Sequence, residues 1–246
     1  MVFAQDYLYA IAPPQCLIVG SSLAARLESS LLTPKHLYNL AFGGGSALTG
    51  LKLIQEHTKH TGVIPHTIYI EENIALIRDI DTAMLERLFH PIGYRLRRYI
   101  PALQERYAPL NLVLSVVKKH FGRSEAEKLA QKRDERMYRI ILERSIQSYQ
   151  KELVGYEPKL ALLHELLEYF ENLGTQIVFF QMPIDSELAG LKQPLQQREI
   201  LQTHFPRYTF LPSPAHSDYT TNDGIHLIKE SSVRFTQEFL QNSLCP

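Results

Sequence analysis

A glycine followed by two serines, Gly20-Ser21-Ser22, and an aspartate three residues before a histidine, Asp223 and His226, are the side chains best placed by type and spacing to do chemistry. A serine hydroxyl becomes a useful nucleophile when a neighbouring imidazole takes its proton, and a carboxylate beside that imidazole orients it and stabilises its charged form. The Asp-x-x-His spacing lets the carboxylate reach back to a ring nitrogen. Two further features suit the charge that develops when a serine attacks a carbonyl. Gly43-Gly44-Gly45 lets backbone N–H groups approach a ligand unobstructed, and Asn73 carries an amide donor. Each part alone also has a plainer use: a turn for the glycines, a loop or cap for Asn73, and a chance pairing for Asp223 with one of ten histidines.

The elements that must position these residues can be read from periodicity. Cys16 to Val19 is an apolar run ending at Gly20, as in a strand buried on both faces, and Leu23, Ala24, Leu27 and Leu31 recur at helical spacing. The serines therefore fall at a strand-to-helix turn, where unpaired N–H groups of a helix N-terminus can receive negative charge. Leu37 to Phe42 predicts a second strand, and Ser46 caps a helix bearing Leu48, Leu51 and Ile54. Val63 to Ile70 predicts a third strand, with Glu71, Glu72 and Asn73 at the end where open α/β sheets bind ligands.

Residues 79–156 lack strand-like runs and read as a helical insertion in a single domain spanning 1–246. In it, Ser124 and Glu127 form a capping box for a long helix whose Leu129, Met137, Ile140 and Ile141 are expected to face the core. Alternation resumes with an amphipathic helix ended by Gly174 and a fourth strand in Thr175 to Pro183. Asp185 is a further candidate cap, Tyr208 to Leu211 a fifth strand, and a polar loop holding Asp223 and His226 leads into a last helix carrying Leu227, Val233, Phe235, Phe239 and Leu240.

Taken in order, GSS after strand one, a glycine loop after strand two, an asparagine after strand three and Asp223-Gly224-Ile225-His226 before the last helix resemble the SGNH hydrolases, the GDSL-type esterase superfamily. That resemblance implies a flavodoxin-like three-layer α/β/α sandwich with a mostly parallel five-stranded sheet. It puts the nucleophile on Ser22 and leaves Ser21 as a turn hydroxyl. It makes His226 the base, oriented by Asp223, and forms an oxyanion hole from the N–H groups of Ser22 and Gly44 and the amide of Asn73. Asn39 and Gly44 keep the second block's five-residue interval. Three positions depart from the family pattern: Ser21 stands where the first block has aspartate, Glu71 where the third has glycine, and Ile74 where the third has aspartate. Such departures are similar to branches acting on acylated cell-surface polymers. The implied activity is hydrolysis of a small acyl ester or an acylated carbohydrate, or O-acyl transfer to a polysaccharide; a non-catalytic binding protein on the same fold is the alternative.

The chain has 246 residues, 26 basic and 26 acidic, so no net charge calls for nucleic acid, and no basic stretch is interleaved with aromatics. A nucleotide or phosphate site is disfavoured because neither G-x-x-x-x-G-K-[ST] nor a full G-x-G-x-x-G is present. Within the insertion, Arg95, Arg97, Arg98, Arg106, Lys118, Lys119 and Arg123 make a locally basic stretch, either a solvated face or a surface for an anionic polymer or a membrane. No cofactor or metal is expected: His57 and His60 lack a third ligand and read as surface residues. Cys16 and Cys245, far apart in sequence, suggest no disulfide framework, and Cys16 reads as a small buried apolar residue. No window is apolar enough to span a bilayer, and the first residues lack the basic start and apolar core of a signal peptide. A chain trimmed behind a signal or anchor would look the same, and the family likeness tilts the expectation towards a bacterial extracytoplasmic location.

Overall fold

A computed structural model describes residues 2–107 and 134–245, in two compact units. The capping box at Ser124 and Glu127, Leu129, and the basic residues Lys118, Lys119 and Arg123 lie outside the described residues. The smaller unit, drawn from residues 1–13 and 82–133, contains α1 (Val2–Leu8) and, further along the chain, α4 (Thr82–Phe89) and α5 (Pro91–Tyr99). Within it, Gln5 accepts from the Glu105 N–H at 2.7 Å and Arg106 pairs with Asp6.

The larger unit, residues 14–81 and 134–246, is an α/β fold. Its sheet comprises β1 (Cys16–Val19), β2 (Leu37–Asn39), β3 (Thr67–Glu71), β4 (Gln176–Phe180) and β5 (Thr209–Phe210). The order is β2-β1-β3-β4-β5 and every pairing is parallel. This is the flavodoxin-like winding, whose crevice opens beyond the carboxyl ends of β1 and β3. The central strands are buried on both faces because helices cover both. The helices are α2 (Ser29–Leu32), α3 (Ala47–Thr61), then, after α4 and α5 of the smaller unit, α6 (Glu135–Tyr149), α7 (Glu157–Asn172), α8 (Ser186–Ala189), α9 (Lys192–His204) and α10 (Lys229–Gln241).

Alternate strand residues sort the two faces. Cys16, Ile18, Tyr69, Val178 and Phe180 join one core with Leu142 of α6 and Phe235 and Phe239 of α10. On the other face α3 packs so closely that a Cβ on Gly50 would lie 2.7 Å from the Val19 side chain. Ser46 caps α3 by accepting from the Thr49 N–H at 3.2 Å, and Gly62 ends it in the left-handed conformation.

Five expectations need correction. The run after Ser22 is not one helix: a 3-10 turn at Ala24–Arg26 is followed by extended backbone at Leu27 and Glu28, then by the four-residue α2. Helix α10 takes the backbone groups that a continuing helix would use, since Thr236 accepts from the Glu28 N–H at 2.9 Å and Ser232 donates to the Arg26 carbonyl. The long helix cannot run through residue 134, because Asp134 is extended and caps α6 by accepting from the N–H groups of Arg136 and Met137. Its buried stripe is Tyr138 and Leu142, with Ile146 and Tyr149 behind, whereas Met137 and Ile140 are 52% and 37% exposed; the Tyr138 hydroxyl, bonded to Asp185, sets that rotation. Cys16 is not a lone thiol. It forms a disulfide with Cys245, because the chain leaving α10 returns across the same face of the sheet, where the Leu244 N–H donates to the Tyr69 hydroxyl at 2.5 Å. Finally, His57 is buried on α3 rather than at the surface.

Candidate active site

The carboxyl ends of three adjacent strands carry the residues singled out by sequence. Register pairs Ile18 with Asn39 and Val19 with Ile70, so the turns after β1, β2 and β3 leave the sheet side by side. Asn39 stitches the first two together, its amide donating to the Ala24 carbonyl at 2.8 Å while its oxygen accepts from the Ala41 N–H at 2.9 Å.

Ser22 lies at the first of these turns, partly exposed, with its Oγ 2.8 Å from His226 Nε2. On the far side of the imidazole, His226 Nδ1 is 2.6 Å from Asp223 Oδ2. An ionised carboxylate accepts only, so Nδ1 carries the proton there and Nε2 presents its lone pair to the serine hydroxyl. The other carboxylate oxygen, Asp223 Oδ1, accepts from the N–H groups of Ile225 and His226 at 3.1 and 2.7 Å. Burial works to raise this carboxyl, but the bonds from the His226 ring and backbone prevail and hold it below the ordinary carboxylate range. Asp223 and His226 lie in the loop before the last helix, which begins at Lys229, so Leu227 stands outside the helix it was expected to join. That loop is held by the antiparallel bridge Thr221 to Leu227 and turned at Gly224, where φ is +90°. The loop is tied to the β4 side by the Asp185 N–H, which donates to the Gly224 carbonyl at 2.7 Å.

Ser21 faces the opposite way and is fully buried. Its hydroxyl and its N–H both donate to Glu71 Oε2, at 2.7 and 2.6 Å, and the hydroxyl also accepts from the Leu23 N–H at 3.2 Å. Burial raises the Glu71 carboxyl well above its usual range, against the bonds from Ser21 and Ala24 and the charge of Arg78. Glu71 also explains Gly20, since a Cβ there would fall 2.7 Å from both the Glu71 Cβ and Oε2. The sequence reading noted Glu71 as a polar residue at a strand end and as a departure from the family pattern, but missed its role as the buttress of the GSS turn. The available signal was an acid pair closing an otherwise apolar strand.

Gly44 is exposed at the tip of its loop with φ +82° and open space where a side chain would stand. Asn73, two residues past β3, is clamped against the segment that follows β4. Its Nδ2 donates to the Met182 carbonyl at 2.9 Å and its Oδ1 accepts from the Met182 N–H at 2.7 Å, leaving one amide N–H for another acceptor. The structure thus joins Ser22, His226 and Asp223 by direct contacts and brings Gly44 and Asn73 to the same edge of the sheet. Among the described residues no group of three or more His, Cys, Asp or Glu side chains is arranged to hold a metal, and no helix is long and apolar enough to cross a membrane.

No protein-family model matches the chain, and neither does any curated protein. Among solved structures, the chain is similar to a Bacteroides fragilis protein called a "putative acylhydrolase", at a TM-score of 0.46 and 10% identity, over 97% of this chain and 92% of that one.

Proposed function

We propose that the chain is a serine-dependent hydrolase of carboxylic esters of the SGNH type, with an O-acetyl or other short acyl ester of a carbohydrate as the substrate class. The observation that carries this reading is the unbroken relay from Ser22 Oγ through His226 to Asp223 at the carboxyl edge of a parallel sheet. Ser22 attacks the ester carbonyl as His226 Nε2 takes its proton, and Asp223 stabilises the imidazolium. The proton then passes to the departing alcohol. Water, deprotonated by His226 in turn, releases the acyl group and regenerates Ser22; a sugar hydroxyl in place of water makes the same centre an O-acyltransferase. The N–H groups of Ser22 and Gly44 and the unused amide N–H of Asn73 are the donors for the oxyanion. The 2.8 Å contact between Ser22 and His226 speaks against a binding protein that has lost its catalytic geometry. The Cys16 to Cys245 disulfide supports an oxidising, extracytoplasmic compartment.

The test is covalent labelling by a fluorophosphonate together with turnover of a small aryl acetate. Both are expected in the wild-type protein and absent in Ser22→Ala. Labelling that survives in Ser22→Ala and disappears in Ser21→Ala would reverse the assignment.

A further inference from the structure

A cavity lies at the same edge of the sheet, beyond β3, β4 and β5. It is walled by Glu72 and Asn73 after β3, Gln181 after β4, Arg198 of α9, His216 after β5 and Tyr149 of α6. It shares one residue with the proposed catalytic centre. Asn73 belongs to both, and the Tyr149 phenol, raised chiefly by burial, also feels the charges of Glu71 and Asp223.

The polar groups on its wall are committed in a particular way. Glu72 is 1% exposed; one carboxylate oxygen pairs with the Arg198 guanidinium, and the other, Oε2, has no hydrogen-bond partner among the described residues. Arg198 also donates to the Leu211 carbonyl, which leaves it further N–H groups. His216 Nδ1 accepts from the Ile184 N–H at 3.2 Å, so the neutral ring carries its proton on Nε2 as a donor. Burial first, and then the Arg198 charge, depress the basicity of this ring and keep it neutral. Once the Glu72 carboxyl is ionised, above about pH 7, the wall therefore offers an orphaned buried acceptor and a neutral donor. Leaving a buried carboxylate oxygen unmet costs free energy that a ligand hydroxyl, both donor and acceptor, recovers.

Size and charge narrow the occupant. About 20 Å³ is open to the centres of water-sized spheres, against roughly 10–15 Å³ needed for one water. A hydroxyl or hydroxymethyl group fits, and a sugar ring does not. An anionic group is opposed because the Arg198 charge is already matched by Glu72.

We infer that this cavity is a substrate subsite that anchors one hydroxyl of a neutral carbohydrate between Glu72 Oε2 and the His216 ring. The inference rests on the ester-hydrolase reading of Ser22 for its connection to turnover. It assigns the subsite to the alcohol half of the ester, the half that carries hydroxyls.

Binding can be tested without catalysis by titrating ¹⁵N-labelled Ser22→Ala protein with methyl α-D-glucopyranoside and following the amide resonances of Ile184 and Gln181. Saturable shifts are expected, with affinity weakened roughly tenfold by adding either His216→Phe or Glu72→Leu, each removing one hydrogen-bonding partner. Thermal melts show which of these two variants is folded, and the folded one is decisive. Absence of saturable shifts, unchanged affinity in a folded variant, or binding by methyl α-D-glucuronide alone would each overturn the subsite. Fluorophosphonate labelling of the wild-type protein reads the nucleophile separately. Labelling without glycoside shifts defeats the subsite alone, whereas glycoside shifts without labelling support the subsite and defeat the hydrolase reading.

Discussion

Asp223→Asn is the substitution whose outcome the geometry dictates most closely. Asp223 Oδ1 is held by two backbone donors, the N–H groups of Ile225 and His226, so an asparagine there must place its carbonyl oxygen at that position. Its amide nitrogen is then forced into the place of Oδ2, 2.6 Å from His226 Nδ1 in the native protein. A nitrogen that donates cannot accept, so Nδ1 must give up its proton and the ring must carry it on Nε2, pointing at Ser22. The side chain is isosteric and the backbone bonds survive, so the loop should stay folded while the base is held in the wrong tautomer. In serine triads that error lowers kcat by about 10⁴-fold, equivalent to about 5 kcal/mol in the barrier. Aryl-acetate turnover and the rate of fluorophosphonate labelling should both fall on that scale, with a thermal midpoint within a few degrees of wild type. Activity within tenfold of wild type in a folded Asp223→Asn protein would refute the claim that Asp223 sets the tautomer of His226.

Two further outcomes follow from buried groups away from the serine. The Glu72 carboxyl is raised to about 7, from an ordinary 4.5, by burial against the opposing charge and hydrogen bond of Arg198. Between those values the folded state binds a proton that the unfolded chain releases, so stability is greatest below about pH 4.5 and is lost as pH rises through about 7, by on the order of 3 kcal/mol. Denaturant unfolding at a series of pH values should show this slope and Glu72→Gln should flatten it; an unchanged slope in the variant would count against the assignment. The Cys16 to Cys245 disulfide closes a loop across 229 residues of sequence separation, for which chain entropy gives about 5 kcal/mol of stabilisation. Reductant should lower the thermal midpoint of the wild-type protein and leave Cys16→Ala/Cys245→Ala unmoved, and two thiols titrating in the unreduced protein would remove the bond from the account.

What could be read in the sequence and what could not divide along physical lines. The α/β class and all five strands were legible, because runs such as Cys16 to Val19, which stops at Gly20, and Ile177 to Phe180 are apolar on both faces. Strand limits were set too wide where pairing partners are short: β2 stops at Asn39, whose side chain turns back to Ala24 and Ala41. Local pattern failed where distant groups intervene. The helix expected after Ser22 is interrupted by hydroxyls of α10, some 200 positions further along the chain. The face of α6 was misjudged because Tyr138 turns inward to reach Asp185, and the disulfide was invisible to spacing because only the tertiary path of α10 brings Cys245 to Cys16. At the site, Ser22, Asp223 and His226 were named from residue type and order. Glu71 and Arg198 were not given their structural parts, since neither the buttress under the turn nor the ion pair with Glu72 has a local signature.

Two of the departures from the SGNH pattern that the sequence resembles are one contact. Ser21 occupies the place of the first block's aspartate and Glu71 the place of the third block's glycine, and here the two side chains bond each other at 2.7 Å. An aspartate at position 21 would set a second carboxylate against a fully buried one, and like charges at that range cannot both ionise. A glycine at position 71 would leave the Ser21 N–H and hydroxyl without their acceptor. Each single reversion, Ser21→Asp or Glu71→Gly, should therefore destabilise by several kcal/mol. Together they return one carboxylate to the pocket from the other side, so the double variant should recover much of the loss. The coupling should be 0.5–3 kcal/mol or more in the direction of rescue, about the range found for contacting pairs. Denaturant melts of the four proteins measure the coupling, and aryl-acetate turnover reports whether Ser22 regains its position. Additive losses would mean that the carboxylate has not changed sides, and that Glu71 supports the turn by a device unrelated to the aspartate it faces.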